Sequence, residues 1–132
     1  MSRNAARPLS PHLSIWRWGP HMLVSILHRA TGSANAIGGG VIFIWWLVAA
    51  ASGPEAYATF YSVATSWFGY LVGIGLTWTF FQHLFNGLRH FVMDVGAGFD
   101  LKTNKTSALA TIGASIAVTL LLWATIFLRS AH

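Results

Sequence analysis

The sequence predicts an all-α integral membrane protein with three transmembrane helices, and three observations support this prediction. Of the 132 residues, 55% are hydrophobic and only 8% are charged, whereas about 25% of residues are charged in an average soluble domain. Three stretches contain no Asp, Glu, Lys or Arg, at residues 30–54, 56–88 and 106–128. Each can hold the roughly 20 apolar residues that cross a bilayer. We therefore expect one membrane-anchor domain over residues 1–132.

The first element is an interfacial segment at residues 1–20. It contains Pro8, Pro11 and Pro20, which oppose a continuous helix, and tryptophans that suit the membrane surface. The segment lacks the apolar core and the small-residue cleavage site of a secretory signal peptide. We expect it to remain in the mature protein on the cytoplasmic side.

Three helices follow, each ended by residues that disfavour a helix. They are predicted at about residues 22–52, 60–93 and 106–129. Ser52-Gly53-Pro54 ends the first helix, and Gly96 and Gly98 end the second. Residues 99–105 form a polar loop before the third helix, which contains no ionisable residue in its apolar part and is predicted to be scaffold.

Small residues in the first two helices predict close helix packing. They are dense between Gly32 and Gly40, and Gly69 and Gly73 form a GxxxG spacing. In water such glycines weaken a helix, but in lipid they let two backbones approach closely.

The distribution of basic residues predicts the orientation of the chain. A net charge of +5 would suggest a nucleic-acid partner in a soluble protein. Most basic residues, however, lie before helix one or between helices two and three: Arg3, Arg7, Arg17, Arg29, Arg89, Lys102 and Lys105. Basic residues that flank membrane helices accumulate on the cytoplasmic side. We therefore predict a cytoplasmic N-terminus and no nucleic-acid partner.

Two histidines near the end of helix two are the first candidates for a site. His83 and His90 share nearly one helix face but lie roughly 10 Å apart along the axis. An ionisable side chain at membrane depth is costly and by default indicates function. Imidazole is the usual axial ligand of haem iron. If His83 is such a ligand, its partner must come from another helix or chain, because His90 is too distant.

Polar residues around His90 allow two interpretations. His90 and Asp94 have the i, i+4 spacing of a side-chain pair. Arg89, His90 and Asp94 either anchor the helix end at the membrane surface, or Arg89 or His90 binds a haem propionate. For His90 we favour the anchoring interpretation.

A second cluster lies in SILHRATG, residues 25–32. Ser25 and Arg29 are spaced i, i+4 and share a face, with His28 one turn from Ser25. Arginine and serine can donate hydrogen bonds to a carbonyl or carboxylate, which favours a pocket for an electron acceptor. The alternative is that Arg29 and His28 extend toward lipid phosphates.

The order of these motifs resembles the cytochrome b556 subunits of succinate dehydrogenase, the larger membrane anchors of respiratory complex II. The resemblance covers nearly the whole chain and depends on three motifs: RPLSPHL (7–13), SILHRATG (25–32) and HLFNGLRHFVMDVG (83–96). It implies that His83 is an axial ligand of haem b iron and that a second, smaller anchor subunit supplies the other ligand. It implies further that Ser25 and Arg29 line the ubiquinone site and that His28 approaches the haem propionates.

The resemblance also implies the reaction and the partners. Electrons from succinate oxidation, a step of the tricarboxylic acid cycle, would arrive through a flavoprotein and an iron–sulfur subunit. This chain contains no cysteine and could not ligate an iron–sulfur cluster through thiolates itself. We expect no catalytic residue and no activity for the chain alone.

Two other functions remain compatible with the sequence. One is the anchor of a menaquinol–fumarate reductase, and the other is a structural haem-binding anchor without a catalytic quinone site. We expect the bacterial inner membrane as the location, with the mitochondrial inner membrane as the alternative.

Overall fold

Every regular element in residues 18–130, the part of the chain that the computed structural model describes, is helical. In chain order the elements are α1 (Pro20–Ser33), a π-helical segment (Ala34–Gly39), α2 (Gly40–Ser52), α3 (Pro54–Ala64), α4 (Trp67–Asp94) and α5 (Leu101–Ser130). The first three form one continuous helix, Pro20–Ser52. The predicted interfacial segment lies outside the described residues, apart from residues 18–20.

The side chains are distributed as expected for a protein surrounded by lipid. Large apolar side chains are exposed along all the helices, whereas soluble proteins bury such residues. The buried side chains within residues 18–130 are instead small or polar: Val24, Thr31, Ala49, Gln82, Asn86, Ala108, Thr111, Ser115 and Thr119. Small residues and interhelical hydrogen bonds hold helices together in membranes. This pattern supports the predicted class.

Among residues 18–130, two helices are long and apolar enough to cross a membrane, Pro20–Ser52 and Leu101–Ser130. α4 has 28 residues, which is about 42 Å at the rise of an α-helix. It is not one of these two helices, and its sequence includes the polar residues Gln82, His83 and Asn86. α4 is therefore long enough to be the third membrane span. That it crosses the membrane stays a prediction.

The second predicted helix, residues 60–93, is two helices in the structure. α3 ends at Ala64 and α4 begins at Trp67. Between them Ser66 is extended, and its hydroxyl accepts a hydrogen bond from the backbone N–H of Gly69 at 3.1 Å. The prediction of one helix is wrong because an uncharged run does not reveal a serine N-cap inside it.

The polar loop before the last helix is shorter than predicted. α5 begins at Leu101, within the predicted loop at residues 99–105. The Asp100 carboxylate accepts hydrogen bonds from the backbone N–H groups of Lys102 and Thr103, at 3.1 and 3.2 Å. This N-cap starts the helix within the polar sequence.

The predicted glycine end of α4 is confirmed. Gly96 and Gly98 have φ values of 85° and 79°, which glycine adopts readily. The N–H of Gly96 donates to the Met93 carbonyl at 2.8 Å, and the N–H of Ala97 donates to the Val92 carbonyl at 3.2 Å. These two bonds form a Schellman motif.

α1, α4 and α5 pack together and form the centre of the molecule. Polar side chains join them across the interfaces. The bonds are Asn86 Nδ2 to Val24 O (2.9 Å), Thr79 Oγ1 to Asn35 Oδ1 (2.8 Å), Ser115 Oγ to Gln82 Oε1 (2.8 Å) and Trp123 Nε1 to Thr77 Oγ1 (3.2 Å). Each bond pairs two defined positions. Together these bonds fix the position of α4, the helix that carries His83, relative to the first helix and to α5.

Candidate functional site

Three histidines from two helices meet at one point between α1 and α4. The imidazole rings of His28 and His83 are stacked, with their centroids 4.0 Å apart and their planes 3° from parallel. The ring of His90 lies 5.0 Å from that of His28 at an interplanar angle of 52°. His28 of the first motif and the two histidines of the second therefore form one cluster.

A hydrogen bond from α4 to the backbone of α1 orients His83. Nδ1 of His83 lies 3.0 Å from the carbonyl oxygen of His28. A carbonyl only accepts, so Nδ1 carries the proton and, in the neutral ring, the lone pair is on Nε2. Within residues 18–130 Nε2 has no hydrogen-bond partner. This is the arrangement of a metal-ligating histidine, whose second nitrogen usually donates to a carbonyl or carboxylate.

The cluster does not provide a complete metal site. Within residues 18–130 no three or more His, Asp or Glu side chains are placed to hold one metal ion together. His28 presents its ring face to His83, and a stacked imidazole cannot coordinate the far side of a metal bound to His83. Among residues 18–130 the geometry of the stacked pair thus fits one axial ligand, His83.

Ser25 and Arg29 lie on an exposed face of α1. Both side chains are exposed and, within the described residues, neither makes a hydrogen bond. Val24 and Thr31, by contrast, lie on the face of α1 that is buried against the other helices. The structure therefore leaves the hydroxyl and the guanidinium available to a ligand or partner, close in sequence to His28.

Arg89 connects α4 to α5. Its Nη2 donates to Asn104 Oδ1 at 2.7 Å, its Nε to Ser107 Oγ at 3.1 Å, and its Nη1 to Asn86 Oδ1 at 3.5 Å. The guanidinium is half-buried. Its donors are directed to neighbouring side chains, which favours the anchoring interpretation for Arg89 over a bond to a propionate.

The predicted contact between His90 and Asp94 is not formed. Among residues 18–130 Asp94 has no ion pair or side-chain hydrogen bond, and His90 instead faces the ring of His28. The spacing alone is misleading, because the side chain of His90 points toward α1 and Asp94 is exposed at the helix end.

Several structurally important polar residues are not among the residues predicted from the sequence. Gln82 and Asn86 are fully buried, and Asn86 joins Val24 to the Arg89 network. The polar residues of α4 recur every three or four positions and so share one side of the helix: Thr79, Gln82, Asn86 and Arg89. That recurrence within an otherwise apolar helix is the signal that could have found them.

We predict that Arg89→Lys lowers the thermal stability of the assembled protein. Lysine lacks the planar fork that reaches Asn104 and Ser107 together, and interhelical hydrogen bonds in membranes average about 0.6 kcal/mol with a maximum near 1.7. Two lost bonds therefore correspond to about 1–2 kcal/mol, measured as a lower melting temperature. Arg129→Lys is the matched control, because Arg129 is exposed at the other end of α5. An unchanged melting temperature with an altered haem potential would assign Arg89 to a propionate instead.

The comparisons with known proteins all match subunits of succinate dehydrogenase or fumarate reductase. The family described as succinate dehydrogenase/fumarate reductase transmembrane subunit matches residues 3–122. The succinate dehydrogenase cytochrome b556 subunit of Paracoccus denitrificans is 39% identical over 115 residues, which are 87% of this chain and 88% of the relative. That of Rickettsia felis is 36% identical over 117 residues, 89% and 90% of the two chains. The succinate dehydrogenase cytochrome b560 subunit of Reclinomonas americana is 33% identical over 129 residues, 93% and 88% of the two chains.

Proposed function

The chain belongs to the family of transmembrane subunits of succinate dehydrogenase and fumarate reductase, and we propose that it is the larger, haem-binding anchor of a succinate dehydrogenase. In this role it passes electrons from succinate oxidation to ubiquinone and has no activity alone. Its partners are a flavoprotein, an iron–sulfur subunit and a second small anchor. The names of its relatives, which include cytochrome b556, support haem b as the cofactor.

The hydrogen bond between His83 and the His28 carbonyl is the observation that carries this proposal. It holds Nδ1 as the donor and leaves Nε2 as the free base of the ring. The donor set thus fits a single axial imidazole ligand for haem iron. When bound, the haem would supply a one-electron redox centre.

A second anchor subunit completes the site in this proposal. His28 is stacked on His83 and His90 is two helical turns away along α4, so neither is placed to supply the second ligand that a haem iron would need. His28 is instead proposed to approach the haem propionates, because its ring lies at the same membrane level as the ligand.

Ser25 and Arg29 are proposed to hold ubiquinone. A quinone site needs an apolar body and a few placed donors. Both side chains are exposed, and among residues 18–130 neither has a competing hydrogen-bond partner. The Ser25 hydroxyl would donate to a quinone carbonyl, and Arg29 would stabilise the negative charge that develops on the oxygen during reduction.

The proposed topology has three spans, Pro20–Ser52, α4 and α5, with the histidine cluster near the cytoplasmic surface. Arg29, Lys102 and Lys105 lie at that end, whereas Arg129 is at the other. α3 then lies at the opposite surface, where its two tyrosines, Tyr57 and Tyr61, are exposed. The location proposed is the bacterial inner membrane.

Purification of the complex from membranes tests the proposed function. We expect a reduced-minus-oxidised spectrum with a b-type band, and co-purification of a flavoprotein, an iron–sulfur protein and a second small membrane subunit. Succinate should reduce ubiquinone in this preparation. A complex that contains the haem but transfers no electrons to any quinone would identify a structural anchor, and a complex without haem would refute the cofactor assignment.

A further inference from the structure

Gly32 lies directly against the imidazole ring of His83. A Cβ atom built on Gly32 would be 2.8 Å from Cε1 and 3.2 Å from Nδ1 of that ring. Real Cβ atoms essentially never approach another heavy atom more closely than 3.0 Å. Any side chain at position 32 therefore requires the ring of His83 to move.

The ring of His83 is not free to move. Its Nδ1 is bound to the carbonyl of His28 at 3.0 Å, and its face is stacked on the ring of His28 at 4.0 Å. Both restraints and the contact with Gly32 come from one turn of α1, residues 28–32. This turn of α1 thus restrains the His83 ring in three ways: the His28 carbonyl accepts from Nδ1, the His28 ring covers one face, and Gly32 lies against Cε1.

We propose that this turn of α1 is a template that sets the plane and tautomer of the His83 ring, with Gly32 as a positioning residue of the haem site. The proposal rests on the proposed function, in which His83 is an axial ligand. Groups around a metal-ligating histidine fix its orientation and tune the metal. The orientation of the imidazole plane affects the electronic structure of low-spin ferric haem, so a tilted ring has a spectroscopic signature.

Gly32→Ala in the assembled complex tests the template. We expect haem to be retained, with shifted g-values in the electron paramagnetic resonance spectrum of the ferric haem and a shifted midpoint potential. Gly75→Ala is the matched control, because a Cβ at Gly75 meets nothing within 4 Å and the general gain in helix propensity from glycine to alanine is common to both variants. Identical g-values and potentials in Gly32→Ala and the unmodified protein would overturn the proposal.

A double-mutant cycle with His83→Ala covers the case in which Gly32→Ala accumulates poorly. The amount of the chain in the membrane is measured for both single variants and for the double variant. Under the template proposal, the Gly32→Ala substitution has no effect once the ring that the new methyl group would strike is absent. An equal loss with and without His83 would show that Gly32 serves another contact. Retention of the unaltered haem spectrum in His83→Ala would instead refute the proposed function, which is a separate outcome.

Discussion

Replacement of His83 by alanine is expected to abolish the b-type haem spectrum of the complex. His83 is the histidine whose Nδ1 donates to a backbone carbonyl, at 3.0 Å from His28 O, and whose Nε2 is free within the described residues. Because residues 18–130 offer no second histidine placed to replace His83, its loss should remove the ligand that this chain is proposed to supply. The measurement is the reduced-minus-oxidised spectrum of the purified complex, normalised to flavin content.

His90→Ala is the matched control for this prediction. His90 lies on the same helix and beside the same ring of His28, at 5.0 Å between centroids. Its removal should leave the haem content unchanged, because its position is two helical turns from His83. Haem retained in His83→Ala, or lost equally in both variants, would contradict the assignment of the ligand.

The sequence predicts candidate site residues but not how those residues meet in the fold. His83 and the SILHRATG motif are identified separately, from the cost of an ionisable group in lipid and from helical spacing. That His28 stacks on His83 depends on the packing of α1 against α4, which a single sequence does not specify. For the same reason the partners of Arg89, which lie on α5, are not predictable from the sequence.

The glycines of the first helix illustrate this limit. In the sequence Gly32, Gly39 and Gly40 all indicate sites of helix packing. In the structure Gly32 faces His83, whereas a Cβ at Gly39 or Gly40 would meet nothing within 4 Å. The same residue type thus has different roles within one continuous helix, and only the neighbouring helix distinguishes them.

Helix ends are predictable where local chemistry alone decides them. Gly53 and Gly96 end helices as the sequence predicts, and both have positive φ values in the structure, 109° and 85°. The N-caps at Ser66 and Asp100 are equally local. The pattern of charge-free runs does not reveal them, because Ser66 lies inside one run and Asp100 lies between two runs.

Arg29→Ala and Ser25→Ala are expected to lower quinone reduction while the oxidation of succinate by a soluble dye continues. Both side chains are exposed on α1 with no hydrogen bond among residues 18–130, so their removal should not disturb the packing of the chain. A hydrogen bond from a charged group contributes about 1.5–3 kcal/mol, which corresponds to roughly a 10- to 100-fold lower rate. The neutral hydroxyl of Ser25 should have the smaller effect.

Comparing quinone reduction with succinate oxidation by a soluble dye distinguishes a defect in the quinone site from a defect elsewhere in the complex. A soluble dye accepts electrons before they reach the membrane anchor, so a defect at Ser25 or Arg29 should spare it. Arg129→Ala and Ser52→Ala are matched controls, because both residues are exposed at the opposite end of the membrane helices. Equal loss of both activities in Arg29→Ala would indicate failed assembly of the complex. Unchanged quinone reduction in Arg29→Ala and Ser25→Ala would remove these residues from the quinone site, and the exposed face of α1 would then be a contact with lipid or with a partner subunit.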